Sequence, residues 1–401
     1  MQQSSSPVSG RSLGRGAVIA YGILAAVTFP ASSSAPTPLY HVYQQTMGLR
    51  PFDITVIFAC YAFSLLAALL TVGSLSDHVG RRPLVLSALV LNALAMTMFA
   101  AADSTAMLVG ARMVQGLAAG IAIPTIGAMI LDVDRARGPL FNSLTPFIGL
   151  FIGVVGAAAL VSFAPLPRQL VYLILLVVSV AEIAVLAIVP ETTSRRPGAL
   201  ASLRPSIHVP AKAVSALWRT SPVNIAGWAL GGYYLSLMPA LVSTAAGISS
   251  PFVGGAVVAT LMLVATAAVL ASQKMAARHM LQIGTISLIV GIAITAVGIH
   301  GQYVWQLFLG TAIVGIGFGA NFAAILRIVL PLAEARDRAG LLSAFFVESY
   351  LAFALPAIAA GLTVPYYGLA AVSYGFFAVV VALAVVSLIA ARRIHVVPAL
   401  H

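Results

Sequence analysis

Residues 73–83 read GSLSDHVGRRP, a short polar string set between two long apolar runs. Gly80 permits a positive φ, and Pro83 suits the first turn of a following helix, so the string reads as a tight turn between two helices. Arg81 and Arg82 place two fixed charges in that turn, and Asp77 puts an acid beside them. The runs on either side, 52–72 and 84–102, each have the length needed to cross a bilayer, which takes about 20 apolar residues.

The same alternation continues along the chain. Apolar runs cover 17–40, 52–72, 84–102, 106–131, 140–163 and 169–189, then 221–246, 251–272, 281–299, 303–330, 341–363 and 368–391. The 401 residues are 61% hydrophobic and only 8% charged, against about 25% charged for a soluble domain. The expectation is an all-α membrane protein with twelve transmembrane helices in two pseudo-symmetric six-helix halves. The segments are a tail at 1–16, a first half at 17–189, a linker at 190–220, a second half at 221–391 and a tail at 392–401. Arg11 and Arg15, the apolar stretch and the ASSSA string at 31–35 also resemble a cleavable signal. Cleavage would leave eleven spans, so 17–40 is kept as span 1, bent by Pro30, Pro36 and Pro38.

The formal charge of +11 would suggest nucleic acid in a soluble chain. Here the basic residues sit in alternate loops. Arg50 and Arg168 fall in the opposite loops, and Arg112 and Arg327 fall inside spans. Every other Lys and Arg lies on one side, from Arg11 and Arg15 through Arg135, Arg137, Arg195, Arg196 and Lys274 to Arg336, Arg338, Arg392 and Arg393. The positive-inside rule then puts both termini in the cytoplasm and leaves no nucleic-acid partner to explain. A weak repeat relates the halves: Gly110 and Gly310 open spans 4 and 10, and the loops that follow read DVDRARG (132–138) and EARDRAG (334–340). Duplicated halves point to a transporter.

The string at 73–83 resembles the loop signature of the major facilitator superfamily, with Gly73, Leu75, Asp77, Gly80, Arg81 and Arg82 each at a matching position. The resemblance implies that Gly73, Asp77, Gly80, Arg81 and Arg82 form an inner-loop latch, with Asp77 set against the N-terminus of span 11. The loop at 271–280, ASQKMAARHM, lacks the Asp and the Gly, so the latch would be one-sided. In span 4, RMVQGLAAG (112–120) resembles the arginine-x-x-glutamine-glycine signature of twelve-span drug/proton antiporters, which implies a part for Arg112 in proton movement. Gly116 and Gly120 form a small-xxx-small pair for close helix packing. A guanidinium at that depth costs about 2.5–3.5 kcal/mol to insert, so Arg112 is expected to face a wet cavity or a partner. An Arg reaching back to the interface is the plainer alternative. Span 5, TPFIGLFIGVVGAAAL (145–160), has Gly149, Gly153 and Gly156 but lacks the glycine–proline pair of the antiporters.

Of the ten acids, only Glu182 and Glu348 lie within spans. Asp53 follows Arg50 and Pro51 and reads as a helix cap. Glu348 lies about 12 Å into a core of about 30 Å. Burial would favour its protonated form and an Arg neighbour the charged one, so it is a candidate for proton coupling. A fixed pair with Arg327 and a direct substrate contact are the alternatives. Glu182 is a weaker coupling candidate, since the resemblance places span 6 at the periphery, where packing or interhelical hydrogen bonding is the simpler role. Candidate cavity residues are Tyr40, Tyr61, Gln115, Trp228, Tyr233, Tyr234, Asn321 and Tyr350. Span 1 carries no acid, which argues against a strictly cationic repertoire.

The lone Cys60 and the scattered histidines give no metal-ligand spacing. No phosphate loop or nucleophile elbow occurs, so no enzyme activity, cofactor or metal is expected. The expected protein is a monomeric, proton-coupled exporter of small, partly apolar molecules or drugs in a bacterial inner membrane, its partners being protons, substrate and lipid. A symporter or uniporter importing a metabolite is the rival, and a non-transporting membrane receptor is the remaining alternative.

Overall fold

A computed structural model describes residues 14–205, 207–247, 250–334 and 337–391. The predicted contributions of Arg11, Arg336, Arg392 and Arg393 to the charge pattern fall outside these residues, as does most of the 1–16 tail and all of the 392–401 tail.

Helices dominate the described chain. The first set is α1 (Arg15–Ser34), α2 (Leu39–Met47), α3 (Pro51–Val72), the single turn α4 (Ser76–Val79), α5 (Arg81–Ala100), α6 (Thr105–Val133), α7 (Gly138–Phe163) and α8 (Leu170–Leu186). After the short α9 (Ala199–Ser202) follow α10 (Ala211–Ser236), α11 (Met238–Ala246), α12 (Pro251–Ala271), α13 (Ala277–Gly301), α14 (Val304–Val329), α15 (Arg338–Tyr367) and α16 (Leu369–Ala391). Among the described residues ten helical stretches are long and apolar enough to span a membrane, α1 and α2 counting together as Arg15–Met47. The bent pair α10–α11 and the shorter apolar α8 complete a pattern consistent with twelve spans.

Two spans break beside prolines, span 1 as expected and span 7 where no break was expected. Span 1 runs on to Met47 but breaks between Ser34 and Leu39. Pro36 has no N–H to offer the Ser32 carbonyl, and Pro38 has none for Ser34. Span 7 starts at Ala211, ten residues before the predicted 221, and turns through 60° at Leu237. There Pro239 leaves the Leu235 carbonyl without its helical donor.

Successive helices run in alternating directions, so the turns gather at two ends. One end holds Arg81, Arg82, Arg135, Arg137, Arg195 and Arg196, and the other holds Arg50 and Arg168. These are called the basic end and the opposite end below. At the opposite end Asp53 caps α3, its carboxylate accepting from the Arg50 backbone N–H at 2.9 Å.

The flanks of the bundle are apolar. Leu86, Val90 and Leu94 on α5, Val177 and Val180 on α8, and Ile283, Ile286 and Val290 on α13 are exposed at helical spacing, as lipid-facing positions are. Inside, α3 lies close against α6. A Cβ at Gly116 would stand 2.4 Å from the Tyr61 carbonyl oxygen, and one at Gly120 would stand 2.5 Å from that of Leu65, so the small pair is required by the packing. Contacts between the first and second sets of helices gather towards the opposite end. There Gly361 of α15 meets Thr55 of α3, Gly255 of α12 meets Ala158 of α7, and the Phe163 and Phe252 rings lie 5.5 Å apart.

Candidate functional site

Near mid-depth, a cavity of about 120 Å³ lies between the two sets of helices. From the first set, α3 contributes Phe58 and Tyr61, α6 contributes Arg112 and Ile123, and α7 contributes Pro146, Phe147 and Leu150. From the second set come Trp228, Gly231 and Leu235 of α10, Phe318 and Phe322 of α14, and Tyr350 and Phe353 of α15. The residues 228, 231 and 235 share one face of α10 by helical period. The walls are mainly aromatic, and the rings touch one another: Trp228 lies 5.1 Å from Tyr350 and 5.8 Å from Phe353, and Phe147 lies 5.7 Å from both Phe318 and Phe322.

Arg112 is the one charged residue of this lining, and it is 1% exposed. Its position follows from the break in span 1. The Ser32 carbonyl would bond to the N–H of residue 36, which is a proline, and the Thr37 N–H turns to Ser34 instead of Ser33. Both freed carbonyls find partners on α6. Arg112 Nη1 donates to Ser33 O at 2.7 Å, and Gln115 Nε2 donates to Ser32 O at 2.9 Å. Arg112 Nη1 also donates to Gln115 Oε1 at 2.7 Å, and Nη2 donates to the Tyr40 hydroxyl. The guanidinium thus sits at the carbonyl end of α1, where the helix dipole is negative. It also lies 5.5 Å from the Tyr61 ring centre and 5.8 Å from those of Tyr40 and Phe99, within cation–π range. Among the described residues no carboxylate pairs with it, and its Nε–H is buried without an acceptor.

Glu348 lies between α10 and α15, on the basic-end side of Trp228 and Tyr350. Ser221 Oγ donates to its Oε2 at 2.6 Å, and Asn224 Nδ2 donates to its Oε1 at 2.8 Å. Asn224 Nδ2 also reaches Ser349 Oγ at 3.1 Å, while Asn224 Oδ1 is buried with no donor. The fixed pair with Arg327 is not what forms. Arg327 Nη1 instead reaches the carbonyls of Ser272, Gln273 and Met275 at 3.1–3.4 Å, at and just beyond the end of α12, where orphaned carbonyls attract a cation.

Glu182 is buried among α1, α5 and α8. Thr28 Oγ1 donates to its Oε1 at 2.6 Å, and its Oε2 has no partner. One turn along, Asn92 donates to Ser32 Oγ at 3.2 Å and to Ser179 Oγ at 2.9 Å.

Tyr61, Trp228 and Tyr350 therefore meet at the cavity with Arg112, and Tyr40 and Gln115 hold that arginine. The structure does not bring Tyr233, Tyr234 or Asn321 there. Tyr233 turns to α16 and shares a hydrogen bond with Ser373. Tyr234 turns to α14 and lies 3.0 Å from Thr311 Oγ1, and Asn321 faces α13, where Thr285 Oγ1 lies 3.3 Å away. Each takes its partner on a neighbouring helix of the second set and not at the cavity. The phenylalanine walls, Ser221 and Asn224 were missed by the sequence reading. Asn224 could have been found, since it stands one helical turn before Trp228 inside an apolar span.

At the basic end, Gly80 has a φ of +111°, as its place in the turn predicts. Arg81 is nearly buried and pairs with Asp77 at 2.6 Å and with Asp132 at 3.1 Å. Among the described residues, the Asp77 contact is thus with Arg81 of its own loop. Glu191, just after span 6, was not singled out from the sequence. Its two carboxylate oxygens accept the backbone N–H groups of Arg81 and Arg82 at 2.8 and 3.1 Å, capping α5.

Known proteins resemble the chain in sequence and in fold. Over 122 residues it is 29% identical to the multidrug resistance protein MdtL of Shewanella sp. (strain ANA-3), covering 29% of this chain and 31% of that one. Over 153 residues it is 28% identical to the MdtL of Escherichia coli O81 (strain ED1a), covering 37% and 38%. Over 100 residues it is 28% identical to the quinolone resistance protein NorA of Staphylococcus aureus (strain MRSA252), covering 25% and 26%. Each match thus spans well under half of the relative's length. Among solved structures, the nucleoside transporter NupG (D323A mutant) superposes with a TM-score of 0.73 at 14% identity, covering 93% of this chain and 99% of that one. The human organic anion transporter MFSD10 superposes with a TM-score of 0.68 at 15% identity, covering 94% and 100%. Likenesses at such low identity speak for the fold. The model of the Major Facilitator Superfamily matches residues 22–293, more than half of the chain. With the all-helical bundle and its two sets of spans, this chain is a membrane transporter, not an enzyme, and it belongs to the Major Facilitator Superfamily.

Proposed function

We propose that the protein is a proton-coupled exporter of small, partly apolar molecules, working by alternating access in a bacterial inner membrane. The observation that carries this reading is Glu348. It is a carboxyl held by neutral donors, with no cation paired to it among the described residues, close to an aromatic cavity. An ionisable residue within a membrane span is expensive to keep and is by default a functional one, and we assign Glu348 the coupling role. Residues 17–189 and 221–391 act as two rocking halves joined by 190–220, with both termini in the cytoplasm and the chain working as a monomer. The basic end is then cytoplasmic, and the packed opposite end closes the outer side. The resistance proteins among the relatives support export.

The test is resistance in a host stripped of its own efflux pumps, expressing the protein or Glu348→Gln at matched levels against antibiotics, dyes and lipophilic compounds. Protection that needs Glu348 is expected. If Glu348→Gln and Arg112→Ala both leave pH-gradient-driven transport in vesicles intact, the coupling is wrong. The small cavity, about 120 Å³, favours one rival, a symporter or uniporter importing a small metabolite. Counterflow in vesicles of known sidedness separates the two.

A further inference from the structure

We infer that the cavity selects small aromatic anions, single rings bearing a carboxylate, with Arg112 as the counter-charge. The inference rests on reading this cavity as the substrate site.

The charge argument comes first. Arg112 is buried and carries a full positive charge, yet all its hydrogen-bond partners are neutral: Ser33 O, Gln115 Oε1 and the Tyr40 hydroxyl. Its Nε–H has no acceptor at all. Neither carboxyl of the spans lines the cavity, Glu182 being held by Thr28 within the first set and Glu348 by Ser221 and Asn224. The carbonyl end of α1 offsets about half a charge at most, and a cation with no carboxylate partner in a low-dielectric wall attracts an anion and repels a cation more strongly than it would in water. The guanidinium is also the side chain whose planar fork suits a carboxylate.

Shape supplies the rest. Trp228, Phe322, Tyr350 and Phe353 present ring faces and edges at the separations at which aromatic groups stack. The volume limits the ligand to one small ring: a cavity of about 150 Å³ takes up benzene, and this one, at about 120 Å³, has no room for a second ring or a bulky substituent. An acid with a single aromatic ring satisfies both the walls and the charge, whereas an aliphatic acid leaves the walls without a partner and an aromatic amine meets the wrong charge.

The test uses the purified full chain in lipid nanodiscs at neutral pH. Binding of benzoate, benzamide and benzylamine is measured calorimetrically, the three being matched in size and differing in charge. The carboxylate should bind at least about tenfold more tightly than the amine, as a charge-assisted hydrogen bond predicts. In Arg112→Gln that ratio should fall towards one, and Arg112→Lys should keep part of it. The wild-type ratio decides the matter by itself should either variant fail to fold. If the amine or the amide binds as tightly as the carboxylate, and Trp228→Ala weakens it, the anion preference is wrong while the cavity remains the substrate site. If none of the three binds while the protein still confers export, both the inference and the cavity reading fall.

Discussion

Thr37 donates its hydroxyl to the carbonyl of Leu235 at 2.9 Å, at the place where Pro239 has no N–H to give. Thr37 itself stands between Pro36 and Pro38, in the break between α1 and α2. The first spans of the two sets are therefore both interrupted by proline, and the two interruptions are joined by a hydrogen bond. A carbonyl freed in a membrane must find a donor, and the donor here comes from the other set of helices.

Thr37→Val keeps the shape and removes the donor. An unsatisfied buried carbonyl costs about 1–3 kcal/mol, and the cost falls on the state in which the opposite end is closed. Spin-label distances across that end should show a larger open fraction than in the wild type. Unchanged distances would mean that water or another donor replaces the threonine.

Gly361→Val should act in the same direction by a steric route. A Cβ at Gly361 would stand 2.2 Å from Thr55 Oγ1, and Thr55 is fully buried. The variant should raise the reactivity of a cysteine introduced on the cavity side of α3. Adding Thr55→Ala makes room and should return the reactivity towards the wild-type level, which a general loss of folding would not do.

Glu191→Ala removes the acceptor for two N–H groups at the start of α5. Loss of a cap costs about 0.5–2 kcal/mol. The thermal unfolding midpoint in detergent should fall, and affinity for compounds bound in the cavity should not change. A fall in affinity with no change in midpoint would show that the cap belongs to transport and not to stability.

Asp77→Asn should leave stability almost unchanged. The Asp77 side chain is 52% exposed and its bond to Arg81 is local, and such pairs contribute about 0–1 kcal/mol. If Asp77 engages the start of α15 when the basic end closes, the variant should enlarge the population closed at the opposite end. Cysteine accessibility on both sides checks this, and identical accessibility would remove Asp77 from the latch.

Much of this protein is open to reading in one dimension. Apolar length sets the spans, the basic residues sort the loops, and GSLSDHVGRRP marks the turn into α5. The pairing of Arg112 with Gln115 is also legible, since three residues apart in a helix means the same face. Pro36 and Pro38 mark the bend of span 1, though not what repairs it, whereas Pro30 lies inside α1. Nothing in the sequence sets Pro239 apart from Pro124, Pro146 and Pro222, which lie inside helices. The partner of Glu348 was not legible, because Ser221 and Asn224 are distant in the chain and reach it only when α10 lies against α15.

The rotation of each helix about its own axis was hidden for a different reason. In water a helix shows its buried face by contrast with its polar one. In a bilayer the lipid is as apolar as the core, so the contrast is lost and Tyr233, Tyr234 and Trp228 look alike. Sequence by itself determined the number and order of spans, the charged loops and the presence of an arginine within span 4. Only the tertiary structure decided which aromatic rings close around that arginine, because packing against neighbouring helices, and not water, chooses the face that each span turns inward.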